Sequence, residues 1–212
     1  MSVDAHILLA DDHPVVRAGY RYLLEKKGYT VYEVDSAELA YQFYQQNIPD
    51  IVIMDISMPG MGGLEGLRRL LARDPNAKVL ILSMYDDHAY IQRTRELGAK
   101  GYLTKDTAAE ELVNAVGKIL TGKNYCSIDL STSNANPKTN NINKRATDEL
   151  SPRQFEIFCL LAEGYSVVNI ARNLNLSPKT VNNHRSDIMD KLHLKSSVEL
   201  SRFAIRHGVI EA

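Results

Sequence analysis

Cysteine is scarce in this chain. Cys126 and Cys159 lie far apart and join no CxxC or Cys/His cluster, which excludes a structural zinc site or a disulfide framework and leaves two free thiols in a reducing compartment. Long apolar runs are missing as well: none approaches the roughly 20 residues that a membrane-spanning helix needs. Met1-Ser-Val-Asp4 passes straight into the first strand-like run, so no leader is expected. A cytoplasmic protein without membrane attachment is expected. Nor does charge of one sign dominate, with 25 Lys and Arg against 26 Asp and Glu. A basic nucleic-acid coat and an acidic tail are both excluded. The balance is uneven along the chain, however. Residues 1–125 hold 14 basic and 17 acidic side chains, whereas residues 150–212 hold 8 and 6, so only the second part leans toward nucleic acid.

What is present is an alternation. Residues 6–10, 30–34, 51–54, 79–82 and 101–105 are short apolar or β-branched runs. After them, residues 14–27, 37–46, 64–72, 88–97 and 107–120 carry apolar side chains at helical spacing, with Gly28, Gly98 and Gly122 as stops. Five strand–helix repeats predict an α/β domain whose five-stranded parallel sheet is covered on both faces, a doubly wound arrangement. Reactive groups in such sheets gather at the carboxyl ends of the strands. Those ends are Asp11 with Asp12, then Asp55, Ser83 and Lys105.

Asp55 closes the most apolar strand, where a charge has no use without a partner or a task. Three close carboxylates repel one another, and each unit of pKa perturbation amounts to about 1.4 kcal/mol. A divalent cation removes the conflict, and an oxygen-only shell of carboxylates, carbonyls and water suits Mg²⁺. An aspartate beside such an ion can attack phosphorus while the metal and a lysine neutralise the phosphoryl oxygens. Ser83 can hydrogen-bond to the product. Singly, each residue has a plainer reading: Asp55 as a turn residue, Asp11 and Asp12 as caps ahead of Pro14, Lys105 as a solvated lysine, Ser83 as a strand-end hydroxyl. Together, in this order, they point to phosphoryl acceptance.

Residues 6–122 resemble the receiver domain of two-component response regulators. The likeness rests on Leu9-Ala-Asp-Asp-His-Pro14, Ile53-Met-Asp-Ile-Ser-Met-Pro-Gly60, Ile81-Leu-Ser83 and Gly101-Tyr-Leu-Thr-Lys-Asp106. It implies a flavodoxin-like strand order 2-1-3-4-5 and Asp55 as the phospho-acceptor. It implies that Asp12, Asp55 and the backbone carbonyl of Ser57 hold Mg²⁺, with Asp11 helping through water. Lys105 would pair with the phosphate, and Ser83 and Tyr102 would form a switch in which the hydroxyl moves toward the phosphate and the ring follows inward. Met84 departs from the small residue that many receivers carry after the Ser83 position, which implies slower access of phosphodonor or water.

The character then changes. Residues 125–148, with Ser131-Thr-Ser-Asn134 and Asn140-Asn-Ile-Asn143, lack apolar periodicity and predict a flexible linker between a receiver at 1–124 and a second domain at 149–212. In that all-α domain Ser151, Ser166 and Ser177 read as N-caps, Pro152 and Pro178 as first helical residues, and Gly164 and Gly208 as stops, giving four helices. Asn175-Leu-Ser177 joins the second to the third in a helix-turn-helix arrangement. From the third helix Val181, Ile188 and Leu192 face inward. Lys179, Asn182, Asn183 and Ser186 form its outward stripe, with Arg185 near the same face. Such side chains suit base edges and phosphates, a bidentate Asn–adenine pair being worth about 1–3 kcal/mol. A four-helix adaptor with a solvated polar face accounts for the same residues.

Leu150-Ser-Pro-Arg-Gln-Phe-Glu156, Gly164-Tyr-Ser166, Leu176-Ser-Pro-Lys-Thr-Val-Asn-Asn-His-Arg-Ser186 and Ala204-Ile-Arg-His-Gly208 closely resemble a LuxR-type helix-turn-helix. The resemblance implies that Lys179 and Thr180 touch the DNA backbone and that Asn182, Asn183 and Ser186 face bases. Receiver and helix-turn-helix together are the architecture of the NarL/FixJ class. In that class a histidine kinase phosphorylates the receiver, DNA binding and transcription respond, and a homodimer on two half-sites is expected. No enzymatic turnover is expected beyond the receiver's own phosphorylation and dephosphorylation. Two other readings are weaker. A phosphorylation-independent DNA binder with a vestigial receiver has no need of the intact Asp11, Asp12, Asp55, Ser83 and Lys105 set. An aspartyl-nucleophile phosphatase needs an acid/base two residues past Asp55, where Ser57 stands.

Overall fold

The computed structural model describes residues 5–85, 88–107, 109–127, 147 and 149–210, with the backbone alone at His88 and Ala109. The chain divides into two compact units. In the first, β1 (His6–Ala10), β2 (Thr30–Val34), β3 (Ile51–Asp55), β4 (Val79–Ser83), β5 (Gly101–Thr104) and β6 (Tyr125–Cys126) form one sheet in the order β2-β1-β3-β4-β5-β6. Every pairing is parallel. Helices α1 (Pro14–Glu25), α2 (Ala37–Gln46), α3 (Gly63–Arg73), α4 (His88–Leu97) and α5 (Ala109–Leu120) connect the strands. All of β3 and β4 is buried, because a strand covered on both faces has no solvent side on which to place polar residues. Ile7, Leu9, Ile51, Ile53, Leu80 and Leu82 pack with Leu24 of α1 and with Leu112, Val116 and Ile119 of α5. Each such side chain contributes about 1.5–3 kcal/mol when removed from water, so the strand ends are firm anchors for what they carry.

The sheet has six strands where the alternation predicts five. β6 sets Tyr125 opposite Gly101 and Cys126 opposite Tyr102. Two residues are too few to show a period, and their placement comes from outside the strand. The Tyr125 backbone N–H donates to the Lys100 carbonyl at 3.0 Å, and the Ser127 N–H to the Tyr102 carbonyl at 3.1 Å. The Tyr125 hydroxyl donates to Glu111, and Lys118 Nζ lies 4.9 Å from its ring centroid. The sheet thus runs past residue 124 into the stretch whose composition reads as linker. The remainder of that stretch, apart from Ser127 and Thr147, lies outside the described residues.

The turn after β3 admits one residue type at its end. Gly63 starts α3, one residue earlier than the apolar pattern indicates, and its N–H donates to the Ile56 carbonyl at 2.9 Å. A Cβ on Gly63 would stand 2.0 Å from the Asp55 carbonyl oxygen and 2.7 Å from Ile56 Cα, both backbone atoms that cannot swing aside. Gly63→Ala is therefore expected to destabilise the first unit by about 3 kcal/mol, measured as a shifted urea midpoint. A loss under about 1 kcal/mol would show that the turn relaxes freely.

The second unit holds α6 (Pro152–Ala162), α7 (Val167–Asn173), α8 (Pro178–Lys191) and α9 (Ser197–Arg206). Ser151, Ser166, Ser177 and Ser196 each accept a hydrogen bond from the backbone N–H three residues on, and Ser151 completes a capping box with Gln154. Asn175, with φ 49°, takes the left-handed conformation that turns α7 into α8. Phe158, Ile170, Val181, Ile188, Leu200 and Ala204 are buried, with Phe158 edge-on to Phe203. No helix among the described residues is long and apolar enough to cross a membrane.

Candidate functional site

The strand ends converge because the register is tight. Ala10 pairs with Met54, Asp55 with Leu82, and Ser83 with Thr104. The chain winds from β1 to β2 on one side and then crosses to β3 on the other, so the switch point lies between β1 and β3 and opens the crevice in which α/β sheets bind ligands. Asp11 and Asp12 follow β1 and Asp55 ends β3, so all three line it. Asp11 and Asp55 are fully buried. Lys105 reaches in from the end of β5, with Nζ 2.6 Å from Asp55 Oδ2 and 2.8 Å from Asp11 Oδ2. The second Asp55 oxygen, Oδ1, accepts the Ser57 N–H at 3.0 Å.

Burial pushes the Asp55 carboxyl above the usual aspartate range. The Lys105 ammonium works against this, and the Asp11 charge adds to it. Burial likewise opposes the Lys105 charge, but Asp55 and Asp11 outweigh it and hold the ammonium protonated to higher pH than usual. Three carboxylates against one ammonium leave two formal negative charges in the pocket. A divalent cation balances that charge.

Ser83 and Tyr102 share a partner that residue types alone do not reveal. The Tyr85 N–H donates to Ser83 Oγ at 2.9 Å, and the Tyr102 hydroxyl donates to the Tyr85 carbonyl at 2.7 Å. Tyr102 is 3% exposed, so its ring already lies inward, while the Tyr85 ring stacks on Tyr90 at 4.7 Å. Met84, which follows Ser83 and is expected to slow access to the pocket, is 69% exposed. His13 is a second unforeseen neighbour. Its Nδ1 lies 2.9 Å from Asp12 Oδ1 and 3.3 Å from Asp11 Oδ1. Asp11, Asp12, His13 and Asp55 each offer one donor atom within 4.8 Å of the others, and the three carboxylates of this set fit a Mg²⁺-type site.

On α8, Val181 and Ile188 are buried, while Lys179, Asn182, Asn183 and Ser186 are exposed together at helical spacing. Thr180 is half-buried, with its hydroxyl 2.8 Å from the capping Ser177 Oγ. Arg185 is not free on that face, since its guanidinium donates to Ser197 Oγ at the start of α9 at 2.8 Å.

Two family models match: the response regulator receiver domain over residues 7–117, and bacterial regulatory proteins of the luxR family over residues 148–204. The chain is a LuxR-family response regulator. It is 37% identical to response regulator UvrY of Escherichia coli strain K12 over 213 residues, spanning 98% of this chain and 96% of UvrY. It is 39% identical to the oxygen regulatory protein NreC of Staphylococcus carnosus over 215 residues, 97% of this chain and 99% of NreC. Among solved structures it is similar to RcsB of Salmonella enterica serovar Typhimurium, bound to a promoter in the presence of phosphomimetic BeF3-. That likeness has 27% identity and a TM-score of 0.58, and covers 96% of this chain and 98% of that one.

This response regulator is thus a two-component protein of the NarL/FixJ class, with a parallel α/β receiver and a helical LuxR-type DNA-binding domain. It regulates transcription and is not a classical enzyme. Receiver domains use Mg²⁺ at an acidic pocket, and the acidic cluster of this response regulator lies at the carboxyl ends of β1 and β3.

Proposed function

We propose that this response regulator takes a phosphoryl group from the phosphohistidine of a partner kinase onto Asp55 and thereby controls its binding to DNA. The observation that carries the reading is a fully buried carboxylate whose charge is disfavoured by its surroundings, with one ammonium 2.6 Å away. In the transfer, an Asp55 carboxylate oxygen forms a bond to phosphorus as the phosphorus–nitrogen bond breaks. The donor imidazole leaves with the electron pair and takes a proton from solvent. Lys105 then faces phosphoryl oxygens instead of a bare carboxylate. The Ser83 hydroxyl exchanges the Tyr85 N–H for the phosphate, and Tyr102 stays packed inward. Asp12, Asp55 and the Ser57 carbonyl would hold Mg²⁺, with Asp11 acting through water. When bound, the ion supplies charge neutralisation for the phosphoryl oxygens. Water later cleaves the acyl phosphate, so the signal decays in the receiver itself.

The added charge, about −1.5 to −2, biases an existing two-state receiver. In the second domain Lys179 and Thr180 contact phosphates, and Asn182, Asn183 and Ser186 read bases. Arg185 joins them on leaving Ser197. One helix-turn-helix reads few bases, so a homodimer on half-sites about one helical turn apart follows. A phosphomimetic accompanies promoter binding in the RcsB structure, which supports a species here that is phosphorylated and DNA-bound together. With a kinase phosphohistidine and duplex DNA as its partners, the protein would work in the cytoplasm.

The test is a gel shift on duplexes selected by this protein from a random pool. Beryllofluoride with Mg²⁺ is expected to tighten binding at least about tenfold, a coupling of ordinary allosteric size. Equal affinity with and without it would refute phosphorylation control.

A further inference from the structure

We infer that His13 contributes an imidazole nitrogen to the acidic pocket and shifts its metal preference from Mg²⁺ toward borderline transition-metal cations. The inference rests on the reading of Asp11, Asp12 and Asp55 as a divalent-cation site. His13 is the N-cap residue of α1, with φ −90° and ψ 105°, yet its side chain makes no capping hydrogen bond. It turns toward the carboxylates instead. The backbone fixes this direction: the His13 N–H donates to Asp11 Oδ1 at 2.8 Å, and Pro14 follows at the first helical position. Nδ1 lies 2.9 Å from Asp12 Oδ1 and 3.3 Å from Asp11 Oδ1, and an imidazole nitrogen lies within 4.8 Å of an Asp55 oxygen. Among the described residues, no other His, Cys, Asp or Glu joins this cluster.

Asp12 Oδ1 is a buried oxygen that no hydrogen bond satisfies among the described residues, although the imidazole Nδ1 stands 2.9 Å away. A cation among those oxygens has the ring nitrogen within reach of its shell. The side chain is 60% exposed, so the ring is open to water as well as to the pocket. Carboxylates, carbonyls and water suit Mg²⁺, whereas imidazole favours Co²⁺, Ni²⁺, Zn²⁺ and their neighbours. A pocket of oxygens alone gains little from such an exchange of metal; one nitrogen donor makes the difference selective. The competing role for His13 is a hydrogen bond that orients Asp12, which supports every cation alike.

The test uses the full chain and titrates Mg²⁺ and Co²⁺ calorimetrically, with Mg²⁺ competition to confirm a shared site. His13→Ala and His13→Gln are expected to weaken Co²⁺ about tenfold while leaving Mg²⁺ within about twofold. Pulsed EPR of the Mn²⁺-loaded wild type is expected to show coupling to a nitrogen nucleus that is absent from His13→Ala. Equal losses for both cations in His13→Ala, restored by His13→Gln, would make His13 an orienting group and overturn the inference. So would unchanged Co²⁺ affinity, or a Mn²⁺ spectrum without nitrogen coupling. A wild type that binds neither cation would bring down the metal-site reading itself, a result distinguishable from the others.

Discussion

Asp55→Asn is expected to bring Mg²⁺-dependent phosphorylation by a small phosphodonor down to background, a loss of at least about a thousandfold. Asn keeps the shape, and its oxygen can still accept the Ser57 N–H that Asp55 Oδ1 accepts at 3.0 Å. It lacks the nucleophile. Labelling above about a tenth of wild type would move the acceptor to another carboxylate, Asp11 or Asp12 being nearest. The same variant is expected to be more stable than wild type in the absence of metal. Burial raises the folded-state pKa of Asp55 above its ordinary value of 3.8, so the folded chain binds the proton more tightly than the unfolded chain. Wild-type stability from this group is fullest below the ordinary aspartate value. It is lost as pH rises from there through the raised folded value, and stays lost above it. Asn has no such dependence. The stability gap in favour of Asp55→Asn should therefore widen across that window and stay open at neutral pH. Urea titrations at several pH values with a chelator present measure it. A gap that narrows with rising pH would mean that Lys105 more than compensates the burial.

The second large effect belongs to α8. Replacing Asn182 and Asn183 together by Ala is expected to cost about 2–6 kcal/mol on a specific site, hence at least about thirtyfold in Kd. Both side chains are exposed, while Val181 and Ile188 hold the helix in place, so folding should be untouched. On random DNA the loss should be small, because that affinity comes from phosphate contacts. Lys179→Ala provides the contrast: weaker binding to every sequence, with a salt dependence reduced by roughly one phosphate contact. If the double variant weakens random and specific DNA equally, these asparagines position the helix and do not read bases.

How far each feature could be read in the residues depends on where its cause lies. β3 was legible because a strand buried on both faces is written as an unbroken apolar run, and a charge that ends such a run stands out. The caps at Ser151, Ser166 and Ser177 were legible because cause and effect lie three residues apart. Tyr85 was not, since it acts through its backbone N–H and C=O, groups that every residue but proline carries. Arg185 sits at the margin of the α8 face, and its partner Ser197 belongs to another helix, so spacing alone placed it beside the residues expected to read bases. His13 stood inside a quoted motif, but a single imidazole next to two aspartates becomes informative only once distances are known.

The short sixth strand bears on where the first unit can be severed. Cut after Asn124, it would lose Tyr125 and Ser127, whose N–H groups satisfy the Lys100 and Tyr102 carbonyls. The flank of β5 would lie open, and bare flanks of this kind recruit strands from other molecules. Cut after Ser127, the same fragment carries its own cover. A receiver fragment that clumps when trimmed to residue 124 and stays dispersed when trimmed to 127 would owe the difference to three residues.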